Sequence, residues 1–363
     1  MLIYDAAQQE VLNEYLKRWS PEVLHLRGEQ CNMLVLLASL FKRGSRVDAY
    51  VDCFIEKVNP RLIVTIMDFS LDFYAISKKH PKIKTLAIQI GVRGYYYSVF
   101  ESFDDLDSEV TSNFFVDHMM MFGAGIGKKY SQCIAGDSVI MGSIKNNMIP
   151  KEKLSRRGVI SFVSQWRQSS GVKLGETYYS FEDFWTKPEG LIIRCLVNYA
   201  KIKNRKLMII PCKYTSDDLR SKERAYFREL MGCEPEFLCP SEANASYQAV
   251  DSSEVVVAID STLGYESIAR GNKTAIFSIR GNFLEDPSKK YGWPGEFPDE
   301  GLFWTNNPDP DSFARILDYL FEVDGAQWRE DVKSSNFSTI MEYDPGNSIL
   351  RGTLDRILGA PSF

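Results

Sequence analysis

The 363-residue sequence predicts an α/β protein built as two successive doubly wound domains, each a parallel sheet covered by helices. Three observations carry this expectation. Short apolar runs rich in β-branched residues alternate with segments of helical spacing along nearly the whole chain. The alternation lapses in a polar stretch, residues 145–157, which holds Asn146, Asn147, Pro150, Arg156 and Arg157, and then restarts. The length exceeds what one core of ordinary size serves and suits two. The expected domains are residues 1–150 and 151–345, followed by a last segment, 346–363.

In the first domain, residues 2–4 form a short strand, and residues 6–19 a helix with Val11, Leu12, Tyr15, Leu16 and Trp19 at helical spacing. Residues 23–26 read as a strand, 31–41 and 47–58 as helices, and 61–67 as a strand ended by Asp68. A helix over 69–77 leads to a strand over 84–90. Tyr95, Tyr96, Tyr97 and Phe100 then make an aromatic loop, either a packed turn or part of a groove whose ring faces stack on sugars. Residues 103–109 look loop-like. A strand over 116–122, a helix over 125–133 and a strand over 138–142 complete the domain.

In the second domain, residues 159–163 are a buried strand, 164–175 a polar loop and 191–202 a helix. A strand over 206–210 ends at Pro211, Cys212 and Lys213, and a helix over 221–231 precedes a strand over 236–238. Residues 246–252 are a short helix, 292–298 a Gly/Pro-rich loop, and 311–323 and 348–358 helices.

Between them lies the most informative stretch, SSEVVVAIDSTLGYESIARGNKTAIFSIRG at 252–281. Residues 255–259 are a β-branched run suited to a strand buried on both faces. Asp260, Ser261 and Thr262 are N-cap residues, Gly264 allows close backbone approach, and 265–270 is helical up to Gly271. A second strand follows at 274–279. A helix N-terminus therefore opens at the carboxyl edge of a parallel sheet, where ligands bind in such folds. Its free N–H groups and the hydroxyls of Ser261 and Thr262 favour a phosphate, and Glu266 can accept from ribose hydroxyls. An ordinary capped helix with a surface glutamate would show the same pattern.

Composition narrows the function. With 44% hydrophobic and 25% charged residues, the chain has the balance of a soluble globular protein. Its longest apolar run, residues 33–41, is too short to cross a bilayer, and MLIYDAAQQE lacks a signal-peptide charge pattern, so a cytoplasmic location is expected. Seven scattered cysteines suggest buried thiols, not a disulfide framework or zinc site. A net charge of -5 argues against a nucleic-acid partner. His25, His80 and His118 are isolated, and Asp309-Pro-Asp311 reads as a helix cap, so no metal is expected. The basic tract Lys201, Lys203, Arg205 and Lys206 is either a solvated turn or a peripheral contact with a membrane bearing a lipid-linked acceptor.

Five segments carry a resemblance: DFSLDFY at 68–74, IQIGVRG at 88–94, VDHMMMFG at 116–123, GSIKNN at 142–147 and DSTLGYE at 260–266. Together they resemble a bacterial family of surface-carbohydrate (O-antigen or capsule) biosynthesis proteins with a GT-B-like fold. The similarity spans both domains. It reaches distantly to capsule and lipopolysaccharide transferases that use CMP-activated Kdo or related nonulosonic acids, where a Ser-x-x-Gly-x-Glu turn sits at the nucleotide. Two departures stand out. The family's first-domain loop more usually reads Gln-Asn-Gly, whereas Ile90 lies between Gln89 and Gly91. The capsule Kdo transferases tend to carry a carboxylate after the first strand of the nucleotide domain, whereas residues 164–170 hold none.

The resemblance implies a glycosyltransferase with two Rossmann-like domains facing an interdomain cleft. The acceptor glycan, free or lipid-linked, would lie on the first domain and the nucleotide-sugar donor on the second, with the final helix crossing back. A CMP-linked Kdo or nonulosonate is the preferred donor; the nucleotide sugar is a co-substrate, and no separate cofactor is implied. Ser164, Gln165, Arg167, Lys213, Ser261, Thr262, Gly264 and Glu266 make the expected donor site, with Arg167 and Lys213 as the cations. Asp68 is the first choice of catalytic carboxylate because it ends a buried strand; Asp260 and Asp72 are rivals that would equally serve as helix caps. Arg93 could bind a donor carboxylate or an acceptor phosphate, or form a structural salt bridge. A nucleotide-sugar 2-epimerase or a non-catalytic partner subunit of the same fold are the alternatives.

Overall fold

The computed structural model describes residues 1–151, 156–212, 216–238 and 245–359. The chain divides into two compact units: Met1–Gly91, Tyr97–Met148 and Asp344–Phe363 make the first, Val92–Tyr96 and Ile149–Tyr343 the second.

The first unit runs β1 (Leu2–Tyr4), α1 (Gln9–Leu16), β2 (Glu22–Leu24), α2 (Met33–Ser39), α3 (Arg46–Val58), β3 (Leu62–Thr65), the short helices α4 (Leu71–Tyr74) and α5 (Ile76–Lys79), and β4 (Lys84–Ile88). It continues through α6 (Val99–Asp104), α7 (Ser108–Thr111), β5 (Phe115–Met121), α8 (Ala124–Tyr130), β6 (Ala135–Ile140) and α9 (Ile144–Met148). Among the described residues its sheet has six strands in the order β2-β1-β3-β4-β5-β6. Every pairing is parallel. β3 is buried at all four positions, as expected of a β-branched strand covered on both faces. Residues 99–104 and 108–111 are helical where a loop is expected, because Ser98 caps α6 by accepting from the Phe100 N–H at 3.2 Å.

The second unit holds β7 (Arg156–Val163), a hairpin of β8 (Gly171–Leu174) and β9 (Thr177–Ser180), α10 (Lys187–Ile202), β10 (Lys206–Ile210), α11 (Asp217–Met231), α12 (Ala245–Ser252), β11 (Ser253–Ala258) and α13 (Thr262–Ala269). β12 (Thr274–Phe277), α14 (Arg280–Leu284), β13 (Trp304–Thr305), α15 (Pro310–Glu322) and α16 (Gly325–Ser334) follow. Among the described residues its parallel sheet has five strands in the order β10-β7-β11-β12-β13. From β7 the chain crosses to β10 on one side, and from β11 to β12 on the other. The carboxyl ends of β7 and β11, neighbours with Phe162 opposite Val257, therefore form the switch point of the sheet.

Other features depart from the expected elements as well, among them residues 236–238, where Phe237 makes only an isolated bridge to Ile209 in place of a strand. The hairpin replaces a polar loop, its two-residue turn made possible by Gly175 at φ +55°. β13 and α16 carry no strong periodic signal and were not expected. Tyr96, placed in the aromatic loop of the first domain, belongs to the second unit and packs on the cluster of Leu174, Phe184, Trp185 and Leu284, which favours the packed alternative.

The last helix, α17 (Ser348–Leu358), lies in the first unit, where Leu350 and Leu354 join Ile3, Leu12, Leu62 and Met120 in one core. A buried amide pair anchors it. The Asn147 amide donates to Asn347 Oδ1 at 3.0 Å, and Asn347 donates to the Ile144 carbonyl at 2.9 Å and to Tyr15 Oη at 2.5 Å.

Candidate functional site

A cavity of about 1010 Å³ opens at the switch point of the second sheet. Its wall combines Ser164–Gln168 after β7, Asp260–Thr262 at the head of α13, Arg280 after β12, and Lys289. Val92, Trp166, Phe184 and Trp185 add apolar surface. Every one of these residues belongs to the second unit.

The head of α13 opens on this cavity through Asp260, Ser261 and Thr262. Ser261 has extended backbone, and no side chain caps the first turn. The Thr262 hydroxyl is occupied as an acceptor, taking the Val92 N–H at 3.0 Å. The first turn, whose leading residues Ser261 and Thr262 line the cavity, carries the positive end of the helix dipole. Arg167, exposed, and Lys289, half-buried, line the same space. Neither makes an ion pair with a carboxylate among the described residues.

Beneath this lies a buried charged cluster. Arg280 is 2% exposed, and two of its three nitrogens are hydrogen-bonded. Its Nε donates to the Phe184 carbonyl at 3.1 Å, Nη1 to Gln165 Oε1 at 3.3 Å and to Asp260, and Nη2 faces Glu189 Oε1 at 3.8 Å. Burial pushes the Asp260 pKa upward, but the Arg280 guanidinium and then Lys289 outweigh it, and the carboxyl titrates below the usual range. Glu189 goes the other way. Complete burial raises its pKa to about 7 against the opposing pull of Arg280 and of the Tyr226 hydroxyl, which donates at 2.9 Å.

The expected donor residues divide accordingly. Ser164, Gln165, Arg167, Ser261 and Thr262 come together on the cavity wall. Ser164 is already committed, its hydroxyl donating to Glu223 at 2.5 Å, so its expected role as a donor to ligand gives way to one of bracing the loop. Gly264 and Glu266 are not on the wall. A Cβ on Gly264 would stand 2.5 Å from that of Ala258, so the glycine serves close packing of α13 on β11. Glu266, expected to meet ribose hydroxyls, is buried and accepts from the Tyr247 hydroxyl at 3.0 Å. Lys213 lies outside the described residues.

Among the catalytic candidates, only Asp260 reaches the cavity. Asp68 is fully buried in the first unit, its carboxylate accepting from the Tyr130 hydroxyl at 2.8 Å and its carbonyl from Tyr74 at 2.7 Å. The carboxylate expected to be catalytic is thus held inside the first unit, hydrogen-bonded to its own core. Arg93 is half-buried in the Val92–Tyr96 segment, where Val92 is the cavity residue. Asp309 caps α15, accepting from the Asp311 and Ser312 amides at 3.3 and 3.0 Å. Sequence reasoning missed Arg280, Glu189 and Lys289. Arg280 was within reach, since it follows a parallel strand as Ser164 and Asp260 do; Lys289 and Glu189 carry no local signal.

The model of a family described as "putative O-antigen biosynthesis protein" matches residues 86–357, well over half of the chain. The chain belongs to this family. A search of curated proteins returns no match. Among solved structures, this family member is similar to S. aureus MnaA solved with UDP, at a TM-score of 0.55 and 10% identity over 99% of this chain and 96% of that one. It is also similar to the UDP-GlcNAc 2-epimerase of Neisseria meningitidis bound to UDP-GlcNAc, at 0.53 and 12% over 98% and 91%. A third likeness is to a glycosyltransferase from Rickettsia africae, at 0.52 and 11% over 99% and 90%. At such identities the likeness shows the fold: two Rossmann-like domains of the GT-B kind.

Proposed function

We propose that this protein is a glycosyltransferase of O-antigen or related surface-glycan assembly, and that the nucleotide of its activated donor occupies the cavity at the head of α13. One observation carries the reading: an uncapped helix N-terminus, Arg167 and Lys289 converge on a cavity at the switch point of a parallel sheet. Breaking a bond from an anomeric carbon to phosphate builds negative charge on the leaving oxygens. Fixed amide dipoles and two cations next to them stabilise that charge where it develops. Trp166, Phe184 and Trp185 supply apolar surface that excludes water from it.

Asp260 works through Arg280 in this scheme. Its depressed pKa makes it a weak base, while its charge fixes the guanidinium at the cavity floor. A CMP-linked acidic sugar remains the favoured donor, because the two cations match its phosphate and its carboxylate.

A thermal-shift panel of CMP, CDP, UDP and GDP tests the assignment, since a ligand that binds only the folded state raises its apparent stability. Stabilisation by CMP that Arg167→Ala and Lys289→Ala each weaken about tenfold in affinity is the expected result, roughly one charge-assisted contact apiece. A response to UDP alone would shift the donor, and conversion of a UDP-sugar without any acceptor would indicate an epimerase. No response to any of the four would remove the cavity assignment.

A further inference from the structure

The segment from Met33 to Arg46 is the most conspicuous surface the donor reading leaves unused. α2 buries only Val35 and Ser39, one turn apart, on a single stripe. The rest of its circumference is apolar and open: Met33 is 61% exposed, Leu34 69%, Leu37 52%, Leu40 51% and Phe41 91%, with Val47 beyond the turn at 63%. Six large apolar side chains crowded onto so short a stretch oppose the rule that soluble proteins scatter such residues singly.

Charge follows directly. Lys42, Arg43 and Arg46 close the segment in a chain of net charge -5. Lys42 pairs with Glu56 at 2.7 Å, and one Nη of Arg46 donates to the Leu40 carbonyl at 3.4 Å, which holds the guanidinium at the end of the helix. Arg43 is exposed and in no ion pair among the described residues. The basic tract at 201–206 is a poorer candidate: Lys203 pairs with Asp318 at 2.8 Å, Lys206 with Glu236, and Arg205 lies 4.2 Å over the Phe321 ring.

We infer that α2 and the turn after it form a membrane-docking wedge that sinks Leu34, Leu37, Leu40 and Phe41 into the acyl boundary of an anionic phospholipid surface, with Arg43 and Arg46 on the headgroup phosphates. Apolar area drives the insertion, and the arginines select negative lipid. A seven-residue helix is far too short to span, so the contact is peripheral. A second copy is a weaker fit, because a stable dimer needs about 20–30 residues a side and the apolar surface here is one short helix and its turn.

Flotation of the full chain with vesicles tests the wedge. Wild type is expected to float with phosphatidylcholine containing roughly 30% phosphatidylglycerol, and about tenfold less with phosphatidylcholine alone. The Leu37→Ser/Phe41→Ser protein stays with the lipid-free fractions, and Arg43→Glu loses the preference for anionic vesicles. Both variants keep the wild-type melting curve, since the altered side chains are exposed, so lost flotation reports the surface and not the fold. Wild type that fails to float on either vesicle overturns the inference, as does a serine variant that floats as well as wild type. A dimer seen by sedimentation velocity, dissolved by the same serines in a protein that ignores vesicles, hands the face to a second copy instead.

Discussion

Arg280 hydrogen-bonds a carbonyl, an amide oxygen and the Asp260 carboxylate from one buried fork and faces the Glu189 carboxylate at 3.8 Å, an arrangement a lysine cannot reproduce. Arg280→Met would leave Asp260 without its cation and Glu189 without a compensating charge. The expected loss is about 3–5 kcal/mol, read as a lower denaturant midpoint, and Arg280→Lys should recover little of it. The two carboxyls also predict opposite pH responses. Asp260 titrates lower in the folded state than its reference of 3.8, so its stabilisation is complete above that pH and is lost as pH falls through the depressed folded value. Glu189 is raised from 4.5 to about 7, so between those values the folded protein holds a proton that the unfolded chain has released. Stability from this group is therefore greatest below pH 4.5 and declines as pH rises toward 7, by roughly 3 kcal/mol at most. Melting temperatures measured from pH 5 to 8 should fall in wild type, and Glu189→Gln should flatten the slope. An unchanged slope would place the titrating group elsewhere.

α13 shows how much of the site a strand-turn-helix can announce. Its position at a strand end, its first turn without a side-chain cap and the convergence of the β7 loop upon it are those of the parallel pattern, because a buried β-branched run ended by polar cap residues has few other folds open to it. The glycine inside it was legible as a close approach, but not what approaches. Gly264 faces Ala258 and Ile276 of its own sheet, a relation of two elements that the local sequence does not encode. Gly264→Ala should therefore destabilise by about 1–3 kcal/mol through overpacking. Adding Ala258→Gly should return most of the loss, and a double-mutant cycle by urea unfolding measures that coupling. Purely additive losses would show that the clash is not with Ala258. The same limit explains Glu266, whose i+4 place after the turn suited a ribose contact until Tyr247, from α12, took its carboxylate. Lys289 and Glu189 were illegible for a related reason: a lysine closing a 3-10 turn and a glutamate in the first turn of α10 look like surface charge until the fold half-buries the one and buries the other.

The order of the chain and the composition of the units differ. The first unit is not complete until residue 344 and beyond have been added, since α17 supplies Leu350 and Leu354 to the core that β1 and β3 begin. Hydrophobic burial alone would let such a helix slide along the surface; the Asn147–Asn347 amide pair fixes its register, because each polar atom in that buried place has a partner at one position only. Asn347→Ala removes a donor to the Ile144 carbonyl and to Tyr15, and an acceptor for Asn147, all away from water. The cost should be about 2–4 kcal/mol, since groups left unsatisfied lose more than a hydrogen bond contributes. Hydrogen exchange followed by mass spectrometry separates this from general damage. Amides of β1 and β3 should lose protection while those of β7 and β11 keep theirs, because the second unit builds its own core around Ile160, Phe162, Val256 and Phe277. Equal loss in both sheets would mean that the units unfold as one, and that the returning helix stabilises more than the sheet it packs on.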